Sequence, residues 1–116
     1  MIQVKIKKLT SNAVIPMYQH ARGDSGVDLY SIENVVLRPY ERRLVHTGLS
    51  MAIPEGYEGC IRPRSGNALK KGLTVLNTPG TIDANYRGEI GVILFNAIDT
   101  SVVISETTAT TITPDI

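Results

Sequence analysis

Several residue types that mark particular protein classes are scarce in this 116-residue chain. Its single cysteine, Cys60, excludes a disulfide within the chain, disfavours a structural zinc site and is expected to be a small buried hydrophobe. The net charge is only +1, so no broad basic surface for nucleic acid is expected. No apolar run approaches the roughly 20 residues of a membrane span. We therefore expect a single cytoplasmic domain with neither a nucleic-acid nor a membrane partner.

Helical periodicity is almost absent, and short segments of strand character recur along the chain. Residues 66–72 favour one helical turn at most, and the segment 89–96 is apolar on both faces, which predicts a central strand. The predicted strands are residues 2–7, 27–30, 34–40, 42–53, 57–61, 73–77, 89–96 and 101–105. This pattern predicts an all-β sandwich or barrel over residues 1–105. Residues 106–116 change to a Thr-rich sequence that fits either a polar edge strand or a loose tail.

The segment ARGDSGVDLY, residues 21–30, brings two carboxylates close together in sequence. Two glycines favour a tight turn, and Asp24 and Asp28 then lie beside a predicted strand. Neighbouring carboxylates suit a hydrated Mg²⁺ that also binds substrate phosphates. The alternative is that Asp24 caps a turn and Asp28 accepts backbone hydrogen bonds.

The segment IRPRSGNALKKG, residues 61–72, combines a guanidinium, a hydroxyl and a glycine in Arg64, Ser65 and Gly66. This set suits phosphate oxygens, although the glycine spacing and the missing Gly-Lys-Ser/Thr exclude a P-loop. An ordinary basic surface turn is the alternative.

The segment NTPGTIDANYRGEIGVILFN, residues 77–96, sets polar groups in front of the most apolar strand. Asn77 carries a donor and an acceptor on one amide, as the reading of a nucleobase edge requires. Asp83 follows an apolar residue, so partial desolvation would favour a role as general base, and Tyr86 offers a flat face. The alternative is a hairpin loop with an internal Asp–Arg pair. Together the three segments contain the parts of a nucleotide site, whereas His20 and His46 attract no catalytic role.

These segments closely resemble the three motifs of the trimeric deoxyuridine triphosphatases (dUTPases), and the likeness runs from residue 1 to about residue 105. The resemblance implies a distorted jelly-roll-like β-barrel that converts dUTP and water to dUMP and pyrophosphate with Mg²⁺. It also implies a homotrimer whose active sites lie between subunits.

The resemblance assigns roles to individual residues of this chain. Asp83 would activate the attacking water, and Asp28 would orient the Mg²⁺ shell through water. Tyr86 would lie against the deoxyribose and exclude a 2′-hydroxyl. The phosphates would be bound by Arg64, Ser65 and Gly66 of a neighbouring subunit, and uracil by Asn77 together with the backbone of Gly80, Thr81, Ile82 and Gly91.

The chain departs from the family at two points. Asn67 replaces a usually apolar residue, which is a minor change. After residue 105 the sequence SETTATTITPDI differs from the family's C-terminal strand and Gly-rich arm. We therefore expect a missing lid, weakened turnover and a core strand that is either missing or replaced, with TATTIT able to form a strand along part of the vacant edge. A non-catalytic nucleotide-binding or assembly protein of the same fold is one alternative; a dCTP deaminase is another, disfavoured because Glu89 comes too early in the chain.

Overall fold

The computed structural model describes residues 2–20 and 22–115, with Asp115 described by its backbone only. These residues form eleven strands and one helix. In chain order the elements are β1 (Lys5–Lys8), β2 (Val27–Tyr30), β3 (Val35–Leu37), β4 (Arg42–His46), β5 (Leu49–Ala52), β6 (Glu58–Arg62), α1 (Ser65–Lys71), β7 (Leu73–Val75), β8 (Gly80–Ile82), β9 (Gly91–Asn96), β10 (Val102–Ile104) and β11 (Ala109–Asp115). No helix in these ranges is long and apolar enough to cross a membrane.

The strands pair antiparallel in four small sheets. The largest has the order β2-β11-β6-β8, and a three-stranded sheet has the order β4-β9-β7. Two further pairs are β1-β5 and β10-β3. The all-β prediction is confirmed, although hydrogen bonding over the described residues gives separate sheets and no single closed ring.

Strand β9 is central, as its apolar sequence predicts. It pairs with β4 on one side and β7 on the other. Its side chains alternate between buried and half-buried, with Val92, Leu94 and Asn96 pointing into the core. Burying apolar surface of this kind supplies most of the driving force for folding, so β9 is the fixed frame for the loop that precedes it.

The segment 42–53 is not one continuous strand, which corrects the prediction. The chain breaks between β4 and β5 at Gly48, whose φ of 69° lies in the left-handed region that favours glycine. A Cβ at this position would approach Thr10 Oγ1 to 2.6 Å. The alternation of apolar residues continues through the break, so the sequence pattern did not reveal it.

Helix α1 has seven residues, which is longer than the single turn predicted. Gly72 ends it with a φ of 63° and donates its N–H to the carbonyl of Ala68 at 3.1 Å. Lys70 and Lys71 lie in the last turn, where cations interact favourably with the helix dipole.

The Thr-rich segment forms β11, so of the two expected outcomes the structure shows a replaced core strand and not a missing one. Because β11 has a neighbouring strand on each side, it is neither an edge strand nor a loose tail. β11 pairs with β2 on one side and with β6 on the other. Ile112 is buried in the core, whereas the Thr113 hydroxyl is buried without a hydrogen-bond partner in the described residues. β11 is therefore held more by its two hydrogen-bonded neighbours than by bulky apolar packing, because threonines occupy two of its four buried positions.

Candidate active site

The loop of residues 83–90 joins β8 to β9 and carries Asp83 and Tyr86. β8 itself was not predicted, because Pro79 and Gly80 indicated a turn. It pairs with β6 and brings the chain to Asp83. The N–H of Tyr86 then donates to the Asp83 carbonyl at 3.0 Å and closes a turn. The loop is thus short and anchored to a strand at each end.

A cavity of about 390 Å³ lies against this loop, and we call it the loop cavity. Its lining residues are Leu44, His46, Thr81, Ile82, Asp83, Tyr86, Glu89 and Gly91. The fold therefore brings together five of the predicted site residues. It also adds three that sequence reasoning missed as site residues, namely Leu44, His46 and Glu89.

A smaller cavity of about 120 Å³ shares four lining residues with the loop cavity and also contains Asn77 and Gly80. A Cβ built at Gly80 would lie 3.5 Å from Asn77 Nδ2, so the amide lies directly beside this glycine. A Cβ at Gly91 would approach Leu44 Cδ1 to 2.6 Å, closer than real Cβ contacts. Only glycine fits at position 91 without moving Leu44.

The carboxylate of Asp83 is exposed in this chain. The desolvation expected from its apolar neighbour Ile82 is therefore not provided by the chain alone. The expected alternative of an Asp83–Arg87 pair is not found in the described residues. Arg87 Nη1 instead donates to the carbonyls of Ala84 at 2.5 Å and Tyr86 at 3.1 Å, which stiffens the loop and leaves Asp83 available.

Tyr86 is 42% exposed, and its hydroxyl donates to the Glu89 carbonyl at 2.7 Å. This bond spans the loop and fixes the ring at the wall of the loop cavity. The ring therefore presents a flat surface with a defined orientation.

Asp28 and Arg64 form a second group of predicted site residues. Arg64 Nη1 lies 2.7 Å from Asp28 Oδ2, and that carboxylate is only 13% exposed. Gln19 Nε2 also donates to Asp28 Oδ2 at 2.9 Å. This ion pair connects the segment of residues 21–30 to the segment of residues 61–72. It places Arg64, a side chain that suits phosphate binding, against Asp28, the candidate carboxylate for the metal.

Asp24 has a separate partner and does not pair with Asp28. Its carboxylate lies 2.9 Å from His20 Nδ1 and accepts the His20 backbone N–H at 2.8 Å. The hydrogen bond from the His20 side chain is the main cause that lowers the pKa of Asp24 below its ordinary value. No group of three or more His, Cys, Asp or Glu side chains with metal-binding geometry occurs in the described residues. Asp24 thus fits the turn-capping alternative.

Ser65 and Gly66 are exposed at the start of α1. Arg64 occupies the N-cap position with extended backbone geometry. A Cβ at Gly66 would meet nothing within 4 Å, so the surface in front of this turn is open. The arrangement leaves room for an anion beside the first backbone N–H groups of the helix.

The two groups lie at opposite corners of the four-stranded sheet. Ile82 pairs with Gly59, so Asp83 lies near the start of β6, whereas Arg64 follows the other end of this strand. At about 3.3 Å per residue, the five residues of β6 extend roughly 16 Å. Asp28 lies on β2, three strand spacings or about 14 Å from β8. Within one chain, the backbones of the two groups are therefore on the order of 20 Å apart.

Comparison with known proteins gives one consistent family. The dUTPase family profile matches residues 11–109. A deoxyuridine 5′-triphosphate nucleotidohydrolase from Picosynechococcus sp. is 61% identical over 99 residues, which are 85% of this chain and 69% of that protein. One from Trichodesmium erythraeum is 58% identical over 95 residues, 82% of this chain and 66% of that protein. The matched region thus spans about two thirds of the length of these relatives.

Solved structures agree with this family. A mutant of the Staphylococcus bacteriophage 80alpha dUTPase with dUpNHpp has a TM-score of 0.92 and 26% identity, covering 100% of this chain and 92% of that one. A mutant dUTPase from phage phi11 of S. aureus, described with a structural Mg(II) ion, has a TM-score of 0.89 and 29% identity, covering 99% and 92%. From its motifs, its fold and these relatives, the chain belongs to the dUTPase family.

Proposed function

We propose that this chain hydrolyses dUTP to dUMP and pyrophosphate, with Asp83 activating the water that attacks the α-phosphorus. The observation that carries the proposal is the loop cavity, which gathers Asp83, Tyr86 and Gly91 in a chain of the dUTPase family. The relatives named as deoxyuridine 5′-triphosphate nucleotidohydrolases support the same substrate.

Asp83 is suited to accept a proton from water. No hydrogen bond or ion pair within the described residues engages its carboxylate, and the turn that it forms with Tyr86 holds its backbone. Attack on phosphorus depends mainly on positioning and on charge neutralisation, so the base need only be a carboxylate that accepts one proton from the attacking water. The covalent step breaks the α–β phosphoanhydride bond, and the oxygen of water becomes part of dUMP.

The smaller cavity is proposed to hold uracil. Asn77 and the backbone of residues 80–82 offer donors and acceptors for its edge, and Gly91 leaves the wall flat. Cytosine presents the opposite donor sense at its exocyclic group. It would leave buried polar groups unpaired, a mismatch that can discriminate by about 10⁴-fold or more. Tyr86 is proposed to lie against the deoxyribose, where a 2′-hydroxyl would meet its ring.

The phosphates are proposed to bind Arg64, Ser65 and Gly66. The bond to Asp28 uses one of the five guanidinium N–H groups of Arg64, so donors remain for phosphate oxygens. When bound, Mg²⁺ would neutralise part of the triphosphate charge and fix its geometry. The residues fit such an ion only through one carboxylate, that of Asp28, so the phosphates and water would supply its other ligands.

The separation of the two groups supports a site completed by a second copy of the chain. A gap on the order of 20 Å between backbones exceeds the combined reach of an Arg and an Asp side chain. The two side chains thus do not meet within one chain, and we infer, as the family resemblance implies, that the phosphates of a nucleotide held at one loop cavity bind Arg64 of a neighbouring subunit. A homotrimer is the assembly that the family resemblance implies, and such a closed ring repeats one interface three times.

Mixing two inactive variants tests the shared site. Asp83→Asn removes the base and Arg64→Ala removes a phosphate ligand, and each variant alone is expected to lose turnover. In trimers refolded from an equal mixture, about a quarter of the sites would combine an intact Asp83 with an intact Arg64. We therefore expect about a quarter of the parent rate of pyrophosphate release from dUTP.

The control variant is Arg43→Ala, because Arg43 is an exposed arginine paired with Glu41 outside both groups. It should retain the parent rate. An equal mixture that forms mixed trimers but shows no turnover would contradict the shared site. A parent protein that releases no pyrophosphate from dUTP would contradict the proposed reaction itself.

A further inference from the structure

Glu89 connects the loop to the break between β4 and β5 through both oxygens of its carboxylate. Oε1 lies 3.0 Å from His46 Nδ1, and Oε2 accepts the backbone N–H of Gly48 at 2.9 Å. Glu89 and His46 are 43 positions apart in the chain. Hydrogen bonds to a charged group are stronger than neutral ones, so this clasp is a substantial local restraint.

The backbone of the same residue restrains Tyr86. The Glu89 carbonyl accepts the Tyr86 hydroxyl at 2.7 Å. The position of the ring therefore depends on the position of residue 89, which in turn depends on the clasp to His46 and Gly48. One residue thus links the β4–β5 break to the wall of the loop cavity.

Other bonds keep the loop attached when the clasp is removed. Ser50 Oγ donates to the Arg87 carbonyl at 2.7 Å, and Thr47 Oγ1 donates to the Ile90 carbonyl at 2.6 Å. These bonds hold the backbone before and after Glu89. Removal of the carboxylate should therefore free residue 89 locally and leave the fold intact.

We propose that Glu89 is a positioning residue for sugar discrimination, acting through the orientation of the Tyr86 ring, with His46 as its side-chain partner. The proposal rests on the function proposed above, in which Tyr86 lies against the deoxyribose. A ring held in one orientation rejects a 2′-hydroxyl by steric contact, whereas a ring free to tilt makes room for it. Glu89 acts on the sugar only through Tyr86 and is not proposed to contact the substrate or the reacting atoms.

The first test measures affinity with non-hydrolysable nucleotides. Calorimetry would compare dUpNHpp with its uridine counterpart on the parent, Glu89→Ala and Glu89→Gln. Glu89→Ala should lower the deoxy-over-ribo affinity ratio by about tenfold, the effect of losing one charged hydrogen-bond clasp. Glu89→Gln should keep most of the ratio, because its amide can accept from Gly48 and donate to the other tautomer of His46.

A matched control is available at Glu41. Its carboxylate accepts the Arg38 backbone N–H at 2.8 Å and pairs with Arg43 at 3.2 Å, the same kind of clasp outside the site. Glu41→Ala should therefore leave the affinity ratio unchanged. An unchanged ratio in Glu89→Ala, or an equal fall in the Ala and Gln variants, would overturn the proposal.

The second test does not depend on nucleotide binding. Tyr86→Phe removes the hydroxyl that donates to the Glu89 carbonyl. In a double-mutant cycle of Tyr86→Phe and Glu89→Ala, the changes in the free energy of unfolding should therefore be non-additive. Hydrogen exchange of loop amides in the free protein should quicken in Glu89→Ala while the β9 amides keep their protection. Unchanged loop exchange would overturn the positioning role even in a protein that binds dUpNHpp. A parent that binds no nucleotide but shows faster loop exchange in Glu89→Ala would contradict the proposed function and keep the structural coupling.

Discussion

Asn96 is a fully buried polar residue whose replacement should strongly destabilise the fold. It lies at the end of β9 with no exposed surface. Its Nδ2 donates to the carbonyls of Leu37 and Arg38 at 3.1 Å each and of Thr100 at 2.8 Å, and its Oδ1 accepts the Ile98 N–H at 3.1 Å. The two N–H groups of this amide are thus shared among three carbonyls, and one side chain bonds the backbone of two segments, residues 37–38 and 98–100.

The magnitude follows from these four contacts. Asn96→Ala leaves the fully buried Leu37 carbonyl without its partner, which costs about 1–3 kcal/mol. The other three contacts are partly buried, where water can replace some of the lost bonding, and we assign each about 0.5–1 kcal/mol. The expected loss in the free energy of unfolding is therefore about 2.5–6 kcal/mol.

Urea unfolding followed by far-UV circular dichroism measures this loss, since the chain has no tryptophan. With a slope of about 1–3 kcal/mol per molar urea, the midpoint should fall by roughly 2 M at fixed protein concentration. Asn96→Asp keeps the shape but aims a carboxylate at three carbonyls, so it should lose at least as much. The exposed Asn34→Ala is the control. A loss below about 1 kcal/mol for Asn96→Ala would refute the assignment of these bonds.

Three further predictions concern the site and its support. Asp83→Asn should abolish pyrophosphate release while dUpNHpp affinity stays within about threefold, and equal turnover would remove Asp83 from the mechanism. Gly91→Ala should weaken dUpNHpp binding by about tenfold or more because its Cβ displaces Leu44, measured by calorimetry; unchanged affinity would contradict the flat wall. Asn67→Ala should lower stability by about 1 kcal/mol, since Asn67 Nδ2 donates to the Ala109 carbonyl of β11 at 3.0 Å; an unchanged urea midpoint would contradict this link between α1 and β11.

Local sequence patterns predicted much of the fold. Alternation and apolar runs located β2, β3, β6, β9 and β10 because each strand has its own hydrophobic signal. The central place of β9 followed from its two apolar faces. The turn at residues 54–57 has the residues that favour one, Pro54 and Gly56, and the Tyr57 N–H donates to the Pro54 carbonyl at 3.1 Å there.

Features that depend on distant partners were not predictable in this way. The place of β11 between β2 and β6 compensates for its polar composition, and no local window contains this information. The departure at Asn67 was judged minor from sequence, yet its amide bonds the backbone of that same strand. The clasp of Glu89 on His46 and Gly48 joins segments some 40 residues apart. Its only sequence signal was His46, a titratable residue in a predicted strand, directly before Thr47 and Gly48.

The site residues likewise divide into those that a local sequence pattern brings together and those that depend on distant partners. Asp83, Tyr86 and Gly91 lie close in sequence, so one loop and one strand suffice to bring them to the loop cavity. Asp28 and Arg64 are 36 positions apart, and their ion pair required the sheet order β2-β11-β6. The exposure of Asp83 was not foreseen, because the sequence shows an apolar neighbour but not the direction of the side chain.

The most direct test of the proposed function is pyrophosphate release in the presence of Mg²⁺ from dUTP, dCTP, dTTP and UTP, on protein whose mass in solution is measured in the same buffer. The account predicts release from dUTP alone, by a species with the mass of three chains. Release at similar rates from all four nucleotides, or no release from dUTP by a folded trimer, would contradict it.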